Sequence, residues 1–176
     1  MNTNQLKKFA QTARIKLIEQ VGAKLDYVLT HDTAELRGKT NSVNKLKEAL
    51  SKYGKESLIE KVAYTWFNRL VALRFMDANG YQPIGFSVVT PSSLTNSVSP
   101  ELLDNAHSGN IPSELKINTQ HIMDLLDGRI SSSNPDNEVF RILLVAVCNH
   151  LHVIFIIIYQ FIDHLFNFFN IYGKFF

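Results

Sequence analysis

Four cations near the amino terminus, Lys7, Lys8, Arg14 and Lys16, are the side chains best suited to chemistry with a partner, because ammonium and guanidinium groups pair with phosphate oxygens. Lys24, Arg37, Lys39, Lys45, Lys47, Lys52 and Lys55 follow them. Carboxylates are interleaved at Glu19, Asp26, Asp32, Glu35 and Glu48, so a solvated surface accounts for the same pattern as a phosphate track. The net charge of +2 is too small to argue for nucleic acid by itself. Cys148, His150 and His152 invite a metal reading. On a helix only the first and last would share a face, and zinc needs convergent ligands, so no metal site is expected. Cys148 reads as a small buried hydrophobe, and a single cysteine excludes an intramolecular disulfide. His31, His107 and His121 are isolated. Gly80, Gly85, Gly109 and Gly128 are scattered singly, so no phosphate or cofactor cradle is visible. No nucleophile elbow frames a serine.

The elements that would position these residues are helical. Leu6, Phe9, Ala10, Ala13, Leu17 and Val21 form one apolar face of a helix expected from about Thr3 to Lys24. A second helix is expected near Ser42 to Tyr53, stopped by Gly54. From Glu60 to Gly80, the residues Val62, Ala63, Trp66, Phe67, Leu70, Leu73, Phe75 and Met76 recur at three- and four-residue steps and predict a core helix. Arg69 and Arg74 on that helix must reach solvent, a phosphate or a carboxylate such as Glu60 or Asp77. Ile84 to Thr90 alternates weakly and reads as a short strand closed by Pro91. Ser92 to Ser99 reads as a loop, and Ser99-Pro100-Glu101 as a helix start with serine as the cap. A short helix is expected over Thr119 to Leu126, and Asn134-Pro135-Asp136-Asn137 reads as a turn with a helix after it. The fold class is therefore mainly α, one domain with at most a short strand or hairpin and a long apolar C-terminal helix.

The run AYTWFNRLVALRFMDANGY, Ala63 to Tyr81, resembles the N-terminal helical region of PglX-type adenine-specific DNA methyltransferases, the modification enzymes of BREX phage-exclusion systems. The opening Met1 to Val21 and the segment Arg141 to His152 are similar to the same family. More distantly, the arrangement is similar to helical regions preceding the catalytic domain of other combined restriction and modification enzymes. The resemblance implies a larger enzyme that binds S-adenosylmethionine in a later Rossmann-like domain and flips an adenine out of duplex DNA. Its signatures, a glycine-rich loop after a strand and an Asn-Pro-Pro-aromatic tetrapeptide, are not in this chain, so no catalytic or cofactor-binding residue carries over. The chain is expected to be inactive alone and to hold no cofactor. Its expected partners are the methyltransferase catalytic domain, duplex DNA through Lys7, Lys8, Arg14 and Lys16, and other phage-defence proteins.

From Ile142 to Ile162 the chain has no Lys, Arg, Asp or Glu, which meets the length of a membrane span. Asn149, His150, His152 and Gln160 argue against one, since each would need a partner in hydrocarbon. From Val153 onward the chain departs from the family and is dominated by Ile, Phe, Asn and Tyr, whose codons need only A and T. This shift predicts two parts, a related region 1–152 and an out-of-frame tail 153–176. Signal-peptide features are absent from Met1 to Val21, and the expected location is cytoplasmic, without an obligate membrane. A stand-alone nucleic-acid or protein-binding module and a small membrane-anchored protein are the competing function classes.

Overall fold

The structure, a computed structural model, describes residues 3–94 and 96–152. It divides into two compact units, Met1–Asn68 and Arg69–Phe176.

The first unit is built on helix α1, Thr3–Thr30, the short α2, Ala34–Gly38, α3, Thr40–Tyr53, and the first part of α4, Lys55–Asn79. Helix α1 runs past the expected end at Lys24 because Leu25, Val28 and Leu29 continue its apolar spacing, with Leu25 buried. Phe9, expected on the apolar face, is 63% exposed. Thr33 caps α2 by accepting from the Leu36 N–H at 3.3 Å, and the Lys39 ammonium donates back to Glu35. Gly54, at φ 77°, ends α3, and its carbonyl accepts the Leu58 N–H that begins the next helical turn. Among the described residues of this unit only Leu25, Leu58 and Ala63 are buried hydrophobics.

The second unit holds the rest of α4, then α5, Glu101–His107, a 3-10 turn at Ser113–Leu115, α6, Thr119–Leu126, and α7, Pro135–His150. Helix α7 is its centre, packed by α5, α6 and the 3-10 turn. Val139, Leu143, Val147 and Cys148 from α7 meet a core completed by Leu102, Ile122 and Leu125, all essentially sealed from solvent. Each such aliphatic side chain stabilises the fold by about 1.5–3 kcal/mol relative to exposure. Asn134 caps α7 by accepting from the Asn137 N–H at 2.9 Å, with Pro135 at the first helical position, as the turn-and-helix reading requires.

The fold is mainly α, with two corrections. Helix α7 is 16 residues long and closes with Leu151 as its C-cap, so among the described residues the expected long apolar C-terminal helix is not formed. Among the described residues no helix is long and apolar enough to cross a membrane. The second half of the Ile142 to Ile162 run, and the whole of the tail 153–176, lie outside the described residues. The other correction is the strand expected over Ile84 to Thr90, which is a chain of turns and bends. Its backbone donors are taken up by side-chain carboxylates instead of a neighbouring strand. At α5 the cap position is Pro100, not Ser99, and no side chain caps it.

Candidate functional site

Helix α4 carries the chain's most distinctive sequence, and its end is held with unusual firmness. Gly80 takes φ 67°, the Tyr81 N–H reaches back to the Met76 carbonyl at 2.9 Å, and the Gly80 N–H reaches the Asp77 carbonyl at 3.3 Å. This pair of bonds is a Schellman exit, and the Phe75 and Tyr81 rings meet edge-on across it, 6.0 Å apart. A residue with a Cβ at position 80 would adopt the left-handed conformation at a cost, so glycine is favoured there.

Just beyond the exit, the loop 82–90 folds over the Asp77 carboxylate. Oδ1 accepts from Gln82 Nε2 at 2.6 Å and from the Val88 N–H at 2.9 Å. Oδ2 accepts from the Val89 N–H at 2.9 Å, the Thr90 N–H at 3.1 Å and the Thr90 hydroxyl at 3.1 Å. Glu101 Oε2 takes the Ser87 N–H at 2.8 Å, and the first N–H groups of α5 donate to the Thr90 and Ser87 carbonyls. Five donors saturate the roughly four lone-pair directions of a carboxylate, so Asp77 is a structural anchor and not a base or a metal ligand. Sequence reading offered Asp77 as an arginine partner. Three donors from consecutive backbone amides, 11 to 13 residues downstream, leave no spacing signal that would have revealed this role.

Above the anchor, Val71, Phe75 and Ala78 follow one another at helical steps on an exposed face of α4, with Tyr81 beside Phe75. Phe75 is 54% and Tyr81 63% exposed. The expectation that Phe75 lies in the core is thus overturned. Trp66 and Phe67 are half-buried, Leu73 and Met76 are buried, and Arg74 reaches solvent.

In the first unit, Lys7, Lys8, Arg14 and Lys16 are all exposed on α1. They do not form one stripe. At about 100° per residue, Arg14 lies nearly above Lys7 while Lys16 is about 180° round the helix. Arg14 also faces Glu60 on α4, Nη2 to Oε1 3.6 Å. Aromatic and basic side chains are placed together elsewhere in the unit. The Lys24 ammonium sits 4.8 Å from the centre of the Tyr27 ring, on which His31 stacks at 4.3 Å. Lys52 and Lys61 flank Tyr53, at 5.1 and 4.7 Å. The unit carries twelve Lys and Arg against seven Asp and Glu, a formal +5, whereas residues 69–176 carry six against nine, a formal −3. The basic surplus therefore belongs to the first unit.

Cys148 is buried, and burial pushes its thiol up to about 11 from the ordinary 9.0, against the opposing pull of the Arg69 charge. It is an inert thiol at neutral pH. His150 and His152 are exposed while Cys148 is sealed, so the three do not converge. Among the described residues no group of His, Cys, Asp or Glu is placed to hold a metal ion. His107 pairs instead with Asp136, Nε2 to Oδ1 3.0 Å, joining α5 to the start of α7.

The chain is 30% identical over 174 residues to the adenine-specific methyltransferase BrxX of Escherichia coli O9:H4 (strain HS), a match that covers 86% of this chain and 14% of that protein. The chain is related to the PglX-type adenine-specific methyltransferases. A second relative, the adenine-specific methyltransferase PglX of Lacticaseibacillus casei (strain Zhang), is 31% identical over 135 residues, 60% of this chain and 11% of that protein. The chain thus spans about one seventh of the length of the first PglX-type relative, which is consistent with a fragment. No family model matches it, and no solved structure does.

Proposed function

We propose that this chain is the N-terminal helical region of a BREX-type, site-specific DNA adenine-N6 methyltransferase, and that it packs on the catalytic domain and assists DNA binding in phage defence. The observation that carries this reading is the relation to two adenine-specific methyltransferases over 60–86% of the chain but only 11–14% of theirs. The exposed face Val71, Phe75, Ala78 and Tyr81 supports the packing role. S-adenosylmethionine and the methyl-transfer chemistry belong, on this reading, to the domain against which the chain packs.

The basic surplus of the first unit favours a second reading, a stand-alone nucleic-acid-binding module. Mixing the chain with the separately expressed remainder of a PglX-type methyltransferase separates the two. Co-purification and increased adenine-N6 methylation of duplex DNA are expected from the first reading. Salt-sensitive DNA binding by the chain without any association with the methyltransferase would favour the second.

A further inference from the structure

We infer that the DNA-facing surface of the first unit is centred on Tyr53 with its two flanking lysines, together with Lys24 on Tyr27, and not on the Lys7, Lys8 and Lys16 positions of early α1. This deepens the proposed role in DNA binding and rests on it.

Contact with an aromatic ring separates the two sets of cations. Asp26 is taken by Lys55 at 2.5 Å, Glu60 by Arg14, Glu35 by Lys39 and Asp32 by Arg37. Among the described residues, Lys24, Lys52 and Lys61 meet an aromatic ring and no carboxylate. Lys24 and Lys52 reach rings close to them in sequence, Tyr27 and Tyr53, whereas Lys61 reaches Tyr53 from another helix.

Geometry supplies the next step. Lys61 reaches from α4 to the Tyr53 ring at the end of α3, and the Asp26 to Lys55 pair ties the far half of α1 to the start of α4. The two tyrosine clusters are thereby held at the same end of the unit. A lysine laid on a ring has a more restricted ammonium than one waving freely in water, so less freedom is lost when a phosphate arrives. Lys52 and Lys61, both at the ring of one tyrosine, suit phosphates of a nucleic-acid backbone, and Tyr53 and Tyr27 remain 43% and 39% exposed beside them. The chemistry recognised is the phosphodiester backbone of duplex DNA, without base sequence.

The test is the salt dependence of duplex-DNA binding by the full chain, read by fluorescence anisotropy. Each phosphate contact contributes roughly 0.9 to the slope of log affinity against log salt. The double variant Lys52→Gln with Lys61→Gln is expected to flatten that slope by about 2, and Tyr53→Leu to weaken binding while both charges remain. Lys7→Gln with Lys8→Gln is expected to leave the slope unchanged. A flattened slope in the Lys7 and Lys8 variant, with none in the Lys52 and Lys61 variant, would overturn this inference and keep the proposed DNA role. Absence of duplex binding by the unsubstituted chain would remove both. Preference for single-stranded over duplex DNA would also overturn it, since the duplex is the partner inferred. Circular dichroism confirms that each variant keeps its helices.

Discussion

Asp77 grips Thr90 twice, accepting from its backbone N–H and its hydroxyl on the same oxygen, each at 3.1 Å. With the Val88 and Val89 amides and Gln82 on the same carboxylate, one side chain at the end of α4 determines the path of the loop 82–90. That loop in turn delivers the start of α5, through the Ser87 and Thr90 carbonyls, to the core around α7.

Replacing Asp77 with alanine is therefore expected to cost about 3 kcal/mol, because part-buried backbone donors lose a charged acceptor and gain none. Chemical denaturation checks this. Asn at the same position is expected to recover a part, since its carbonyl oxygen can accept from two of the five donors. A loss below about 0.5 kcal/mol in the alanine variant would show that water replaces the carboxylate without penalty.

Cys148 makes a prediction about alkaline pH. Its thiol is held neutral in the fold up to about 11, whereas in the unfolded chain it ionises near the ordinary 9.0. Below pH 9 both states are protonated and the group contributes nothing to the pH dependence. Between about 9 and 11 the unfolded state alone loses its proton, so stability falls as pH rises, by about 1.4 kcal/mol per unit from this group. Cys148→Ala is expected to reduce that alkaline slope while costing stability at neutral pH through the lost packing. A thiol reagent at pH 8 is expected to label the native protein slowly and the unfolded protein fast. Equal rates would contradict the burial.

How much of this was legible in the sequence depends on whether the cause was local. Thr119–Leu126 has the boundaries expected from periodicity, and Asn134-Pro135 opens α7 as its turn chemistry requires, because caps and breakers act within a few residues. Gly54 and Gly80 end their helices for the same reason. Ile84 to Thr90 forms no strand because its weak alternation reflects single burial events such as Val88, while its amides are claimed by carboxylates from two helices. Periodicity and residue type point Phe75 to the core, yet the neighbouring Leu73 and Met76 face inward and turn it out. Of the lysine–tyrosine contacts, Lys24 with Tyr27 and Lys52 with Tyr53 are local, whereas Lys61 reaches Tyr53 from another helix, which no linear spacing encodes. The short α2 did have a signal, Thr33 followed by Glu35 and Gly38, that a reading for longer helices passes over.

Burial also predicts uneven local stability. Among the described residues, the first unit buries three hydrophobic residues and the second buries sixteen. Hydrogen exchange is expected to be at least roughly tenfold faster for amides in the middle of α1 and α3 than in α7, since opening free energy tracks buried apolar contact. Similar protection in all three helices would mean that the first unit draws stability from something other than its own core.

The central claim is that this chain is a working part of a PglX-type methyltransferase, and association with the rest of such an enzyme tests it most directly. The full chain and its Phe75→Ser variant, both monitored for folding by circular dichroism, are to be titrated against the separately expressed remainder of a PglX-type methyltransferase, with adenine methylation of duplex DNA followed in the same samples. The account predicts association and raised methylation with the unsubstituted chain, and at least about tenfold weaker association with Phe75→Ser, since losing one exposed aromatic anchor costs about 1.4 kcal/mol or more. A well-folded chain that neither associates nor changes methylation would contradict it.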